Sequence, residues 1–239
     1  MKKVFYFLVF FLLTPSLIYS QTDNTLNSKE KKKGWILLFD GVSTNGWTTT
    51  EGKPVPPGGW HVINGCLNIV KGGNGGDIIT SNQYSDFDLI LDYKIEPACN
   101  SGVKYFFTYY DTGGNLGMEF QILDDILAED NKLENHLCGS FYDVFPPDPK
   151  KKKVNPAGEW NTIRIVSKGK KVEHWLNGKR ILAFTRGSKA FKEGVAKSKF
   201  NKAVPPFGMV DKGYILLQEH GGVVSFKNIK INELKKADY

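Results

Sequence analysis

Along most of this chain apolar and polar side chains alternate with a period of two, the mark of strands that bury one face. The stretch Met118-Glu119-Phe120-Gln121-Ile122-Leu123-Asp124 shows it most usefully. Met118, Phe120 and Ile122 share a face suited to a core, while Glu119 and Gln121 present a carboxylate and an amide on the other. Phe87, Leu89, Leu91, Tyr93 and Ile95 alternate with Asp88, Asp92 and Lys94 in a longer strand. Further strands are read at Gly34–Gly41, Val103–Tyr109, Glu159–Val166, Lys171–Leu176, Ile181–Phe184, Tyr214–His220 and Val223–Ile231. Asn64-Gly65, Gly169-Lys170 and Asn177-Gly178 supply hairpin turns between apolar runs. Only Ser188–Lys197 reads as a helix. Roughly a dozen short strands at this turn spacing, with no βαβ alternation and no internal repeat, predict an all-β fold. The expected architecture is a two-sheet antiparallel jelly-roll sandwich.

Residues 1–20 read as a secretory signal, with Lys2 and Lys3 ahead of an apolar run from Val4 to Leu13 and a break at Thr14-Pro15-Ser16. Residues 21–33 are polar and without periodicity, so they are expected to be a linker, with one domain at 34–236. The apolar run is too short and too interrupted to be read as a membrane span. The expectation is therefore a secreted or periplasmic protein with no stable membrane anchor.

Charge changes little in this picture. The formal charge of +7 falls to about +5 without Lys2 and Lys3, and much of the excess sits in Lys31–Lys33 and Lys150–Lys153. These runs lie in a linker and a Pro-rich loop rather than on a folded face with interleaved aromatics, so no nucleic-acid partner is expected. The three cysteines, Cys66, Cys99 and Cys138, lack metal-site spacing and are read chiefly as buried thiols, one bridge being open to them in an oxidising compartment. Gly72–Gly76 lacks the Gly-Lys-Ser/Thr ending and the following helix of a phosphate loop.

Several segments occur together in a recognisable order. They are Leu38-Phe39-Asp40-Gly41 with Gly46-Trp47, Trp60-His61-Val62, Asn100-Ser101-Gly102-Val103-Lys104-Tyr105-Phe106 and Glu119-Phe120-Gln121-Ile122-Leu123-Asp124. Later come His136 with Tyr142-Asp143, Gly158-Glu159-Trp160-Asn161, Val172-Glu173-His174-Trp175-Leu176-Asn177-Gly178 and Leu217-Gln218-Glu219-His220-Gly221. In this the chain resembles the domain of unknown function 1080, the 3-keto-disaccharide hydrolase family, from about Gly34 to Leu234. The resemblance implies a concanavalin-like jelly roll, secretion, and cleavage of glycosides oxidised to a ketone at sugar C3.

That chemistry sets what a site must contain. A C3 ketone acidifies the C2 proton; a base removes it, the enolate expels the C1 aglycone, and water then adds. The needs are a general base, a partner for the enolate oxygen and an acid for the leaving group, with no redox cofactor. Catalytic candidates are Glu119 on the polar strand face, Asp124 if the strand end turns it, His136 in the following loop and His220 beside Gln218. Substrate-binding candidates are Lys104 and Gln121, Gln218 for sugar hydroxyls, and Trp60, Tyr142 and Trp160 for stacking. No cofactor is required, but a divalent ion held by Glu119, Asp124, His136 and His220 would suit enolate stabilisation. His174 shares a strand face with Val172 and Leu176 and reads as a core histidine. Two other readings compete. A retaining glycosidase is suggested by Glu119-x-Gln121-x-x-Asp124, although its middle residue is an amide and its last acid is short. A lectin would bind plain carbohydrate without turnover. The oligomeric state is left open by the sequence.

Overall fold

The structure is a computed structural model that describes residues 22–235 except Gly73. The expected leader at residues 1–20 lies outside the described residues. In chain order the strands are β1 (Trp35–Leu37), β2 (Trp47–Thr49), β3 (Trp60–Ile63), β4 (Cys66–Ile69), β5 (Ile78–Tyr84), β6 (Phe87–Ile95) and β7 (Asn100–Tyr110). They continue with β8 (Gly114–Leu123), β9 (Asn161–Lys168), β10 (Lys171–Leu176), β11 (Lys179–Thr185), β12 (Gly213–Leu217) and β13 (Val224–Glu233). They form two antiparallel sheets. The larger runs β11-β10-β9-β6-β13-β4-β3, with β1 also on β13, and the smaller runs β2-β5-β12-β7-β8. The all-β, two-sheet expectation is met.

Local chemistry explains the turns. Asn64 and Gly65 take φ of 52° and 71°, and Asn177 and Gly178 take 47° and 77°. Those positive-φ pairs match the right-handed twist of the β3–β4 and β10–β11 hairpins. Ser188 caps helix α2 (Lys189–Lys197) by accepting from the Phe191 N–H at 3.2 Å.

The core fills the space between the sheets. Leu89, Leu91 and Tyr93 of β6, Ile163 and Ile165 of β9 and Phe226 of β13 meet Val103 and Tyr105 of β7, Met118, Phe120 and Ile122 of β8, and Ile215 of β12. Polar side chains are fully enclosed as well, His174 among them. His174 of β10 presents Nδ1 to the Gly139 carbonyl at 3.0 Å and Nε2 to the Tyr105 hydroxyl at 2.8 Å. A carbonyl only accepts, so Nδ1 carries the hydrogen and Tyr105 donates to Nε2. The histidine thus ties the larger sheet to β7 and to the turn at Gly139.

The segment expected to be a linker is instead docked. The Asn24 amide donates to the Gly65 carbonyl at 2.8 Å, and Asn24 exchanges two backbone-to-side-chain bonds with Asn228. A short helix, α1 (Ser28–Lys32), opens with a capping box between Asn27 and Glu30, and Glu30 pairs with Lys230 at 2.5 Å. The segment carries no apolar stripe because its attachment is polar.

Burial lowers the His174 pKa from 6.5 to about 4, against the Gly139 hydrogen bond that favours the charged form. The unfolded chain therefore takes up a proton that the folded ring refuses. This contribution to stability is complete above pH 6.5 and is lost as pH falls towards 4, by roughly 3 kcal/mol. His174→Gln should flatten the fall of the urea midpoint between pH 6.5 and 4.5 relative to the parent, whatever its own cost at pH 7.

Candidate active site

The site stands on the outer face of the smaller sheet, where β7 and β8 pair. In their register Lys104 lies opposite Glu119, and Gly102 lies opposite Gln121. A bulge follows, with Phe106 at φ 52°. It turns both Tyr105 and Phe106 into the core and returns Phe107 to the outer face beside Leu216 and Ile79. The Arg186 guanidinium stacks on Phe106, 4.1 Å from the ring centre, and holds the bulge from beneath.

Beyond β8 the chain folds back along its free edge. The Tyr142 N–H donates to the Glu119 carbonyl at 3.1 Å, Gln121 N–H to the Ser140 carbonyl at 3.2 Å, and Gly139 N–H to the Gln121 carbonyl at 2.8 Å. This edge cover leaves Glu119 only 6% exposed. Around it opens a cleft of about 760 Å³, lined by Lys104, Glu119 and Gln121 at the floor, Asp130, Tyr142 and Lys199 on one wall, and Gln218 and His220 on the other. With its amide nitrogen turned towards the carboxyl, Gln121 donates to Glu119 Oε1 at 3.1 Å and to the Ser101 carbonyl at 3.3 Å. Gly102 is needed for this packing, since a Cβ there would collide with Glu119 Oε1.

Burial pushes the Glu119 carboxyl up to about 7. The Lys104 and Lys199 ammonium groups pull it down, and Asp77 and Asp130 add to the rise. Such a carboxyl is available in both protonation states near neutrality, as proton transfer requires. Burial also raises Tyr142, reinforced by the hydrogen bond to Asp130. It therefore stays a neutral phenol.

The structure brings Glu119, Gln121, Lys104, Tyr142, Gln218 and His220 to one cleft and separates the other candidates from it. Asp124 is a correction. Its carboxylate accepts from the Ala98, Ile126 and Leu127 N–H groups at 2.8, 3.0 and 3.3 Å. Burial alone would raise its pKa, but these three bonds hold it below the ordinary value. It shapes the turn after β8 and does not line the cleft. His136 is likewise one layer back. Its Nδ1 meets Asp130 at 2.7 Å, its Nε2 meets Asp143 at 3.2 Å, and its ring lies on Tyr142 with centroids 4.6 Å apart. It orients Asp130 and Tyr142, whose hydroxyl donates to Asp130 at 2.8 Å.

Neither tryptophan candidate reaches the cleft. Trp60 is a core residue, stacked on Phe226, with its indole N–H on the Gly76 carbonyl at 2.8 Å. Trp160 lies between Lys94 and Lys227 on the outer face of the larger sheet, across the sandwich. The four side chains considered for a divalent ion do not converge, and among the described residues no group of three or more His, Cys, Asp or Glu is placed to hold one. The cysteines are unbridged, and burial pushes the Cys99 thiol at the cleft wall up to about 12, leaving it unreactive.

Sequence reading missed Lys199 and Asp130. Lys199 follows α2 and is brought in by its N–H bond to Asp143 at 2.8 Å. Its ammonium lies 4.4 Å from the Tyr142 ring centre and 5.3 Å from that of Phe200. Neither residue has a strand pattern to mark it; Lys199 adjoins Phe200 in a polar loop, and Asp130 lies in a polar loop with no such marker.

A jelly roll that encloses a carboxyl at the floor of a polar cleft of about 760 Å³ has the build of a glycoside hydrolase-type enzyme. The sequence profile of the 3-keto-alpha-glucoside-1,2-lyase-like domain matches residues 34–232. The chain belongs to that family, the 3-keto-disaccharide hydrolases. A 3-keto-disaccharide hydrolase of Bacteroides thetaiotaomicron is 30% identical over 231 residues, covering 84% of this chain and 79% of that protein. Two crystal structures from Parabacteroides distasonis, both described provisionally as glycosyl hydrolases, are also similar. One is 34% identical with a TM-score of 0.79, over 90% of this chain and all (100%) of that one. The other is 28% identical with a TM-score of 0.66, over 84% and 99%.

Gly102→Ala should leave the fold intact, because the clash is with a side chain that can swing. It should lower kcat on the order of 10²-fold by displacing the Glu119 carboxyl. Circular dichroism and steady-state kinetics on the same preparation check both halves.

Proposed function

We propose that this enzyme cleaves glycosides already oxidised to a ketone at sugar C3, by removing the C2 proton, eliminating the C1 aglycone and adding water. The observation that carries this reading is the enclosed Glu119 carboxyl, set opposite Lys104 and near Lys199, with its pKa brought to about 7. Glu119 is the base. The two ammonium groups favour the negative charge that develops on the C3 oxygen as the C2 proton leaves. Gln121 and Gln218 offer amides to the sugar hydroxyls, and Asp130 with Tyr142 and His220 stand on the walls where the aglycone departs and water enters.

This reading asks for one carboxyl as base, and Asp77 and Asp130 lie near enough to Glu119 to raise its pKa further. A retaining glycosidase needs a second one about 5–5.5 Å away. The sequence candidate for that role, Asp124, is committed to three backbone N–H groups. The name of the Bacteroides relative supports the 3-keto substrate. We further propose export from the cell, on the strength of the amino-terminal leader pattern.

Incubation with a 3-keto-glucoside in deuterated water, followed by NMR, should show 3-keto-glucose carrying deuterium at C2. Release without C2 exchange would return the reading to direct displacement, and binding of plain glycans without turnover would make the protein a lectin. Because the base must be ionised, kcat/KM should rise with pH through about 7. Glu119→Gln should abolish C2 exchange and lower kcat by roughly 10³-fold or more.

A further inference from the structure

The two lysines of the cleft are committed very differently. Lys199 is held over the Tyr142 and Phe200 rings, and its backbone N–H is bonded to Asp143. Lys104 extends from the middle of β7, half-buried, directly across the strand pair from Glu119. Its ammonium is closed into no ion pair, side-chain hydrogen bond or ring contact among the described residues, although the Glu119 and Asp77 carboxyls lie within reach of its field. The sheet surface around this pair is kept bare by glycine. Gly102 lies against Glu119, and a Cβ at Gly117 would stand 3.2 Å from the Lys104 Cβ and 3.1 Å from Phe107. A sugar ring can therefore descend onto the floor where an amine and an enclosed carboxyl face it from opposite positions of the strand pair.

An unpinned lysine amine across a strand pair from a carboxyl that can carry its proton is a setting in which lysine adds to carbonyl carbon. On the reading that the substrate is a 3-keto-glycoside, we propose that Lys104 acts covalently, forming an iminium with the C3 ketone rather than only attracting its oxygen.

The steps balance. Lys104 Nζ passes a proton to the Glu119 carboxylate through a water of the open cleft, and the free amine forms a C–N bond at C3 while the carbonyl π bond opens onto oxygen. Glu119 protonates that oxygen; a further proton moves from nitrogen to Glu119 and on to the hydroxyl. Water leaves, and nitrogen closes the C=N⁺ bond. Glu119, again a carboxylate, takes the C2 proton, giving an enamine. The enamine electrons re-form C=N⁺, create a C1=C2 bond and break the C1–O bond; the departing oxygen takes the proton from Glu119. Water then adds across C1 and C2, its oxygen to C1 and a proton to C2. Hydrolysis of the iminium restores the ketone and the lysine. No oxidant or reductant enters. The iminium puts a full positive charge next to C2, which acidifies its proton more than an uncharged ketone can.

The test uses the whole enzyme with a 3-keto-glucoside and sodium cyanoborohydride at neutral pH, followed by intact-mass measurement and peptide mapping. A parallel reaction in ¹⁸O-water follows the C3 carbonyl. The expected result is one reduced-sugar adduct on Lys104 and ¹⁸O entering C3 at a rate that keeps pace with turnover. Lys104→Arg keeps the charge but cannot form the iminium. It should lose more than roughly 10³-fold in kcat, beyond what removal of one electrostatic contact produces. It should also lose the adduct and the ¹⁸O exchange while its circular dichroism is unchanged. Lys199→Met should retain both. Turnover with C2 deuteration but no adduct and no ¹⁸O at C3 overturns the covalent step and leaves the proposed function standing. Near-parental activity in Lys104→Arg, or an adduct confined to another lysine, also overturns it. Absence of turnover and of C2 exchange in the parent enzyme overturns both readings.

Discussion

The enclosure of one carboxyl organises this enzyme. Glu119 sits on the polar face of a strand that would be an exposed edge, and a carboxyl left there would titrate in the ordinary range. The chain returns along that edge from Gly139 to Tyr142, pairs with β8, and removes the carboxyl from water. Desolvation favours the neutral form, the two lysines favour the charged form, and the outcome is a group poised near pH 7. Everything around it serves to hold that cover in place. Asp124 fixes the turn leaving the strand. Asp125 accepts from the Cys138 N–H at 2.7 Å and pairs with Lys152 at 2.5 Å. His136 braces Asp130 against Tyr142.

The same cover is tied to the core through His174, which bonds Gly139 from inside the sandwich. The two buried titratable groups act on stability in opposite senses. His174, depressed to about 4, makes the fold less stable as pH falls below 6.5. Glu119, raised to about 7, contributes stability that is full below its ordinary value of 4.5 and is lost as pH rises through 7. Over the range between 4.5 and 6.5 they offset one another. A protein of this build can therefore keep an ionisable carboxyl in an enclosed site without a steep pH dependence of folding.

Much of the fold was legible because its signals are local. Alternation marked the strands, Asn-Gly pairs marked hairpins, and Ser188–Lys197 read as a helix that the structure places at Lys189–Lys197. The segment before Gly34 was misread because its anchors are polar bonds to residues about 200 positions away: Asn24 to Asn228 and Glu30 to Lys230. Those pairings leave no periodic trace. Tryptophan misled for the opposite reason. A large amphipathic ring stacks equally well on Phe226, between Lys94 and Lys227, or on a sugar, and composition does not separate these.

Strand parity by itself determined that Glu119 and Gln121 share the face away from the core. The period of two is a property of the extended backbone and needs no tertiary information. Only the tertiary structure decided that Lys104 stands opposite Glu119, because register depends on the bulge at Phe106 and on the turn that follows. It alone delivered Lys199 from beyond α2 and set Asp124 and His136 back from the cleft. Both of those leave the strand pattern at a turn, where side-chain direction is fixed by the hydrogen bonds the loop makes rather than by the period of the chain.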